Sequence, residues 1–464
     1  MPKPTTIHFE ISERKVLLRI FDVLLVLSSL YLVSELFDLE YFNISEEHWV
    51  WSIVLCVYLL VFSTIFELYN LQKASNLQKT VKNIFAAVSL TVLLYLFTPF
   101  YTPKLPSNRL QILVFFGIIT FTLFIWRLAY IKLISAPRFF KRILVVGDSF
   151  DIELIAEALQ KSDPNYQVIG YVNTDVNNDE QSEFKNLVQI DVNVIDDAIK
   201  QYHINEIVVA SSYTEGVMLP LYNKLITLLE DGFPIREYTQ VYEEVTHRIP
   251  VQHIDKDFYK FFPFSRSNQN KFYLFYHRLF DVLVSVLGIL LSTILLPFIL
   301  IGNLVANRGP LFYTQERIGK NGKPFKIMKL RTMVVDAEVS GAQWAKKNDT
   351  RTTPFGKFLR RSRIDETPQF YNIILGHMSI IGPRPERPMF VKELSSIIPF
   401  YETRHVVKPG LTGWAQVNTS YGSSYADSLE KLQYDLYYIK HRSVYLDISI
   451  VLKTLSTIIF YRGQ

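Results

Sequence analysis

Runs of about 20 apolar residues constrain this chain most, because each is long enough to cross a bilayer as a helix. Four lie in the N-terminal part: Val16 to Phe37, Trp49 to Leu68, Ile84 to Phe100 and Leu110 to Ile134. Across all 464 residues, 49% are hydrophobic and 20% charged, a balance too apolar for an ordinary soluble protein. The charges that flank the runs set an orientation. Lys3, Arg14, Lys15 and Arg19 precede the first run, Lys73, Lys79 and Lys82 lie between the second and third, and Lys132, Arg138, Lys141 and Arg142 follow the fourth. Asp38, Glu40, Glu46 and Glu47 lie between the first two. Cytoplasmic loops carry the excess of Lys and Arg, so four spans with both ends in the cytoplasm are expected, against Lys104 and Arg109 in the second outer loop. The first run lacks a small-residue cleavage site and more runs follow, so it reads as a span rather than a signal peptide. Cys56 is the single cysteine, which excludes a disulfide framework and a cysteine-based zinc site.

Character changes at Pro137. Arg142 to Gly147 reads as a buried parallel strand ending in a turn, followed by an amphipathic helix to about Gln160. Strands at Gln167–Val172, Glu206–Ser211 and Pro234–Tyr238, with a helix near Met218–Glu230, complete the pattern of a Rossmann-like cytoplasmic domain over 138–254. A dinucleotide site needs G-x-G-x-x-G at the first turn, so that backbone can approach a pyrophosphate. Here Gly147 is followed by Asp148 and, further on, Asp151, whose charges repel phosphate. A regulatory or scaffolding domain is therefore expected rather than a nicotinamide-dependent oxidoreductase or epimerase.

An aromatic and charged linker, Asp255 to Lys271, leads into a fifth apolar run, Val282 to Val305. Both flanks are cationic, with Lys271, His277 and Arg278 before and Arg308, Arg317 and Lys320 after. Pro297 removes a helical hydrogen bond. A re-entrant helix over about 276–305, entering and leaving on one face, satisfies both observations, with Ser292 and Thr293 available to satisfy freed backbone groups.

Beyond it the chain is polar and mixed. Two strands flank the turn Lys320-Asn321-Gly322-Lys323, which brings Lys326, Lys329 and Arg331 close together. Asp336 to Arg351 reads as helix and loop, Pro388 to Pro399 as an amphipathic helix, Lys408 to Gln416 as a glycine-punctuated loop, and Leu429 to Phe460 as helix able to lie at a bilayer interface. Between them, Arg360 to Arg387 places the adjacent carboxylates Asp365 and Glu366 behind Arg360, Arg361 and Arg363, with Arg384 held between Pro383 and Pro385. Phosphoryl transfer needs neutralised phosphate oxygens and a placed nucleophile. A carboxylate can serve as that nucleophile, a second can hold Mg²⁺, and an arginine on stiff backbone suits phosphate. Arg363 screens the dyad, and His377 and His405 are candidate acids or bases. A helix start with solvated charges is the bland alternative.

From about Lys271 onward the chain resembles the bacterial sugar transferase family of polyprenyl-phosphate hexose-1-phosphate transferases, the monotopic phosphoglycosyl transferases. The matching motifs are GPLFYTQERIGKNGKPFKIMKLRTM, FLRRSRIDETPQFYNIILGHMSIIGPRPE, KPGLTGWAQV and YDLYYIKHRSVYLDI. With the four N-terminal helices over 1–137, the layout resembles the family's long form: a membrane protein with a four-helix transmembrane unit, a Rossmann-like domain, and a re-entrant helix with a mixed α/β catalytic domain over 255–464.

The resemblance implies transfer of a hexose-1-phosphate from a UDP-sugar, UDP-glucose or UDP-galactose first, to undecaprenyl phosphate. UMP is released, and the product starts exopolysaccharide, capsule or O-antigen repeat units. It implies Asp365 as nucleophile, Glu366 as ligand of Mg²⁺, Arg384 on substrate phosphate, and Lys329 and Arg331 on a basic strand lining the site. It also implies a bacterial inner membrane location with the catalytic domain facing the cytoplasm, a re-entrant helix, and no nucleic-acid partner; a homodimer stays open. Two departures stand out at the helix break: Thr293-Ile294 replaces the family's Ser-Pro, and Pro297 comes a turn later. His377 and Thr367 also differ from the usual residues. A non-catalytic membrane scaffold for polysaccharide assembly is the remaining alternative.

Overall fold

The computed structural model describes residues 11–37, 41–42, 48–74, 77–133, 140–147, 155–160, 166–173, 187–210, 219–251, 270–335, 337, 349–419 and 424–459. The chain divides into two compact units, Met1–Thr246 and His247–Gln464.

The first unit begins with α1 (Ile11–Phe37), α2 (Trp49–Ile65), α3 (Leu77–Leu96) and α4 (Leu110–Leu133), one for each expected apolar run. Glu13–Phe37 and Leu110–Leu133 are long and apolar enough to cross a membrane; Trp49–Ile65 and Thr80–Leu96 are apolar but shorter, at the low end of the range of about 17–25 residues for a span. α1 packs on α4 through Leu18, Trp126 and Tyr130. In that packing Arg127 donates through both terminal nitrogens to Asp22, each at 2.8 Å, and neither side chain reaches solvent.

The Rossmann-like expectation holds for the second half of this unit. β1 (Lys141–Gly147), β2 (Tyr166–Asn173), β3 (Val188–Gln189), β4 (Glu206–Val209) and β5 (Ile235–Glu237) form one parallel sheet in the order β3-β2-β1-β4-β5. That order places the topological switch between β1 and β4, where such sheets bind ligands beyond the strand ends. The turns that follow those two strands, including Asp148 and Asp151, lie outside the described residues. Gly147 has its own packing reason: a Cβ there would stand 3.1 Å from the Ala210 Cβ. Sequence reasoning passed over β3 and the helix α5 (Ile195–Tyr202), both of which are short. The helices α6 (Leu219–Glu230) and α7 (Tyr238–Thr246) complete the unit.

The second unit is built along α8 (Lys271–Gly302), a helix of 32 residues. With its continuation to Asn307 it is the third helix long and apolar enough to cross a membrane. Pro297 lies inside it without ending it, so the expected break is not where the helix stops. Ser292 and Thr293 donate to Gly288 O and Ile289 O, four residues back, and not to the Thr293 carbonyl, whose usual helical donor Pro297 removes. The helix instead ends in a wide turn, Asn303–Asn307, where Asn303 and Asn307 donate to the carbonyls of Gly309 and Arg331.

One face of α8 touches the rest of its unit along much of its length. Tyr273 donates to Asp447 at 2.8 Å, and Asp281 accepts from Ser379 Oγ and Ile380 N, both at 2.8 Å. Gly288 leaves room for Phe370, Ile299 packs with Leu330 and Leu359, and Gly302 leaves room for Phe355. Asp281 and Gly302 are about 32 Å apart along a helix axis.

The hairpin β6 (Phe312–Ile318) and β7 (Pro324–Leu330) is antiparallel, with Phe312 opposite Leu330. Its turn has Asn321 at φ 57° and Gly322 at φ 73°, the left-handed pair that an Asn-Gly turn favours. Then come α9 (Pro354–Arg361), α10 (Gln369–Ile374), β8 (Ser379–Ile381), α11 (Pro388–Ile397), β9 (Gly410–Thr412), α12 (Trp414–Asn418), α13 (Tyr425–His441) and α14 (Val444–Ile459). The loop expected at 408–416 is thus β9, paired in parallel with β8, and the start of α12. Ile373, Met378, Ile381, Trp414, Leu436 and Ile450 belong to one core here.

Candidate active site

The approach to the dyad is shaped by local rules. Thr353 caps α9 by accepting from Gly356 N at 2.9 Å, with Pro354 at the first helical position. Arg363 takes φ 59°, a left-handed conformation uncommon outside glycine and asparagine, and turns the chain into one tight helical turn, Ile364–Glu366. Asp365 and Glu366 are both buried there, 7% and 9% exposed.

Three cations from three parts of the chain meet Glu366. Lys329 Nζ donates to Oε1 at 3.0 Å, Arg384 Nη2 reaches the same oxygen at 3.4 Å, and Arg363 Nη1 lies 3.7 Å from Oε2. Burial alone raises a carboxyl group's pKa; here Lys329, Arg384 and Arg363 outweigh it and hold Glu366 ionised, far below its usual range. Asp365 goes the other way. Burial, and then the Glu366 charge, push it up to about 6 against the pull of Lys329, Arg360 and Arg363. Two adjacent carboxyls are thereby given opposite proton affinities, an arrangement that separates roles in a site.

Two of these cations, Lys329 and Arg384, are each held by a support of their own. Asn372 on α10 uses both ends of its amide on β7, accepting from Met328 N at 3.0 Å and donating to Lys326 O at 2.8 Å, which fixes Lys329 beside the dyad. The Arg384 carbonyl accepts from Arg404 Nη2 at 3.1 Å, and Arg404 is itself tied to Asp435 at 2.7 Å and Tyr401 at 2.6 Å. Behind Arg384 two loops meet backbone to backbone. A Cβ at Gly382 would stand 2.4 Å from Lys408 O, one at Gly410 2.1 Å from Gly382 N, and one at Gly413 2.1 Å from Gly382 O. That contact requires the glycines of the 408–416 segment.

Lys329, Arg363, Arg384, Asp365 and Glu366 are therefore brought together. Arg331 is not part of that group. Its guanidinium donates to the carbonyls of Pro310, Met333 and Asn307, and the residue is 6% exposed. It braces the end of α8 against the hairpin. Ser292 and Pro297 sit within α8 as described. His377 is exposed and packs beside Phe325. His405 is half-buried, pushed down to about 4 by burial and by Arg404, and lines a cavity of about 410 Å³ with Asn321, Lys392 and Glu402. Neither histidine is bonded to the dyad. The Asn372 clamp and the Arg404–Asp435 pair escaped the sequence reading, because no spacing links residues 31 to 46 positions apart.

For a divalent cation, the described residues contain no group of three or more His, Cys, Asp or Glu side chains. Two carboxylates suit Mg²⁺, which takes oxygen ligands and completes its shell with water and substrate phosphate. The cations on Glu366 disfavour a further cation there unless an anion arrives with it.

Residues 272–461 match the bacterial sugar transferase family. The chain is 39% identical over 226 residues to the UDP-N-acetylgalactosamine-undecaprenyl-phosphate N-acetylgalactosaminephosphotransferase of Aeromonas hydrophila, covering 49% of this chain and 52% of that protein. It is 40% identical over 196 residues to the UDP-glucose:undecaprenyl-phosphate glucose-1-phosphate transferase of Klebsiella pneumoniae, covering 41% and 42%. The matches thus span about half the length of these two relatives. A third, the putative undecaprenyl-phosphate N-acetylgalactosaminyl 1-phosphate transferase of Bacillus subtilis (strain 168), is 45% identical over 141 residues, which cover 30% of this chain and 79% of that protein. Asp365, Glu366 and Arg384 all lie inside the family match, and with most of the Bacillus relative covered at that identity, the chain belongs to the bacterial sugar transferase family.

Proposed function

We propose that this protein transfers a hexose-1-phosphate from a UDP-sugar to undecaprenyl phosphate in two displacements. In the first, a carboxylate oxygen of Asp365 attacks the sugar-proximal phosphorus, the bond to the bridging oxygen breaks, and UMP leaves with that oxygen. The phosphosugar is left on Asp365 as an acyl phosphate. In the second, a phosphate oxygen of undecaprenyl phosphate attacks the same phosphorus and the Asp365 carboxylate is released. Lys329, Arg363 and Arg384, already gathered on Glu366, would share their charge with the incoming diphosphate. Glu366, kept ionised by those cations, is the residue to hold Mg²⁺, which when bound neutralises diphosphate charge.

The observation that carries this reading is the dyad itself: two adjacent buried carboxyls, one of them within 3.7 Å of three cations. The test is UMP release and a trapped phosphosugar adduct in membranes carrying Asp365→Asn. Both are expected to vanish. Persistence of either would sink the covalent route, and an inactive wild type across UDP-sugars would favour a scaffold.

The relatives' names divide between glucose and N-acetylgalactosamine. UDP-N-acetylgalactosamine therefore joins UDP-glucose and UDP-galactose as donors to compare, in one panel of labelled UDP-sugars. The layout proposed is four N-terminal spans in the bacterial inner membrane, and α8 entering and leaving on the cytoplasmic side. The contacts of α8 with its own unit from Tyr273 to Gly302 support that reading, since a straight crossing would separate those levels by a bilayer core of about 30 Å. Cysteines placed at 271 and 306 should both label from the cytoplasm; labelling of one from outside would restore a crossing.

A further inference from the structure

Two cations converge over Gly376, and neither is among those on Glu366. Gly376 follows α10 at φ +83°, closing the helix end as its N–H donates to Ile373 O at 2.9 Å and that of His377 donates to Asn372 O at 3.0 Å. This accounts for the glycine. The absent side chain also leaves a recess, in which a Cβ would stand 3.5 Å from Lys408 Nζ and 4.0 Å from Arg278 Nη2.

Arg278 is fixed there by donating to the carbonyls of Ile373 and Ile374, both at 2.7 Å, which leaves further N–H groups of its guanidinium available. Lys408 is half-buried, and among the described residues it makes no hydrogen bond or ion pair. Burial and then Arg278 push its ammonium pKa down, Lys320 adds to this, and Asp281 opposes it. One Asp281 oxygen accepts from both Ser379 and Ile380, and the other lies 3.8 Å from His277 Nδ1. Three cations thus share the influence of one carboxylate. A half-buried ammonium held among like charges is destabilised until an anion joins it.

The neighbouring residues indicate the kind of anion. Tyr371 and Leu375, just before the turn, are 50% and 51% exposed, and Phe275 and Leu279, flanking Arg278 on α8, are 67% and 46% exposed. Basic groups set among exposed aromatic and aliphatic side chains are the composition of a surface at lipid headgroup level. We propose that the recess over Gly376, bounded by Lys408 and Arg278 with Lys320 nearby, binds the phosphate of a lipid. Such a bond fixes the depth at which the second unit rides on the bilayer. It requires no transfer chemistry at Asp365.

Binding to the purified full chain in detergent, read by native mass spectrometry, tests this with four separate probes: dioleoylphosphatidylglycerol, undecaprenyl phosphate, dioleoylphosphatidylcholine and inorganic phosphate. One of the first two should bind at least about tenfold more tightly than phosphatidylcholine, and which one does so identifies the source as bulk bilayer lipid or phosphomonoester. Lys408→Gln should lose about tenfold of that affinity, Lys408→Arg should keep most of it, and Lys320→Gln should lose about twofold. Because Lys408 bonds to no described residue, Lys408→Gln should keep the thermal midpoint of the lipid-free protein. Unchanged binding in Lys408→Gln overturns the site. Inorganic phosphate binding as tightly as either lipid overturns the lipid assignment. The readout is independent of UMP release, so loss of the transferase reading would leave it standing.

Discussion

Asp22 and Glu366 are both buried carboxylates held by arginine, but they are balanced in opposite ways. Asp22 meets one guanidinium, two bonds to two oxygens, and Arg127 is as completely buried as its partner. Glu366 meets three cations, has a second carboxyl beside it, and its lysine and arginines remain 20%, 29% and 34% exposed. The first arrangement is closed and neutral, and its chemistry is finished when the helices pack. The second holds a surplus of positive charge with access from outside, which is what an incoming diphosphate requires. Burial of charge alone does not distinguish a lock from a site. Stoichiometry and access do.

The largest test of that contrast removes the proposed nucleophile. Asp365→Asn should lower UMP release at least about a thousandfold. The same variant should not be less stable at pH 7.5. Because the folded protein holds Asp365 above its ordinary value of 3.8, the folded state favours the protonated form, and stability falls as pH rises from 3.8 through about 6. The neutral amide removes that cost, so its thermal midpoint should exceed wild type at pH 7.5 and match it near pH 4. A midpoint lowered at both pH values would mean that the carboxylate is structural.

Arg127→Leu should do the reverse. Leaving Asp22 buried without its partner costs about 3–5 kcal/mol, read as a lowered unfolding midpoint in detergent, while Asp22→Leu with Arg127→Leu should recover most of it. UMP release per folded molecule should stay at the wild-type value. A double variant no more stable than the single one would deny that this pair is only a lock.

Acid should act on the site in a graded way. On the proposed route Asp365 has to be ionised to attack, so the burst of UMP should fall about tenfold per pH unit below 6 while Glu366 stays charged. Lys329 lowers the pKa of both carboxyls, so Lys329→Met should move that midpoint upward as well as reduce the rate. A lower rate with an unmoved midpoint would confine Lys329 to substrate binding.

How much of this could be read from residue order follows the same division. The dyad was legible because its members are adjacent, and the hairpin because Asn321-Gly322 supplies two left-handed residues in a row. The parallel sheet was legible from β1, β2, β4 and β5, but β3 is two residues long and α5 eight, too short for periodicity to register. The cage on Glu366 joins positions 329, 363, 366 and 384; the two arginines were read beside the dyad from their own stretch, and only the family motifs brought Lys329 to it. The Asp22–Arg127 lock was invisible, since its partners lie 105 residues apart inside apolar runs.

Arg331 gives the smallest effect and the finest discrimination. It follows Lys329 by two positions, and on a continuing strand the two would point to the same face. β7 ends at Leu330, however, and Arg331 turns to the backbone carbonyls of Pro310, Met333 and Asn307. Arg331→Met keeps the length of the side chain and removes those bonds, so it should cost about 1–3 kcal/mol of stability. The KM for UDP-sugar should change by less than about twofold, whereas Arg384→Met should raise it about tenfold or more with little loss of stability. If Arg331→Met instead raised KM as far as Arg384→Met at unchanged stability, its guanidinium would belong with the surplus charge on Glu366, and the boundary between brace and site would have to be drawn one residue further along the chain.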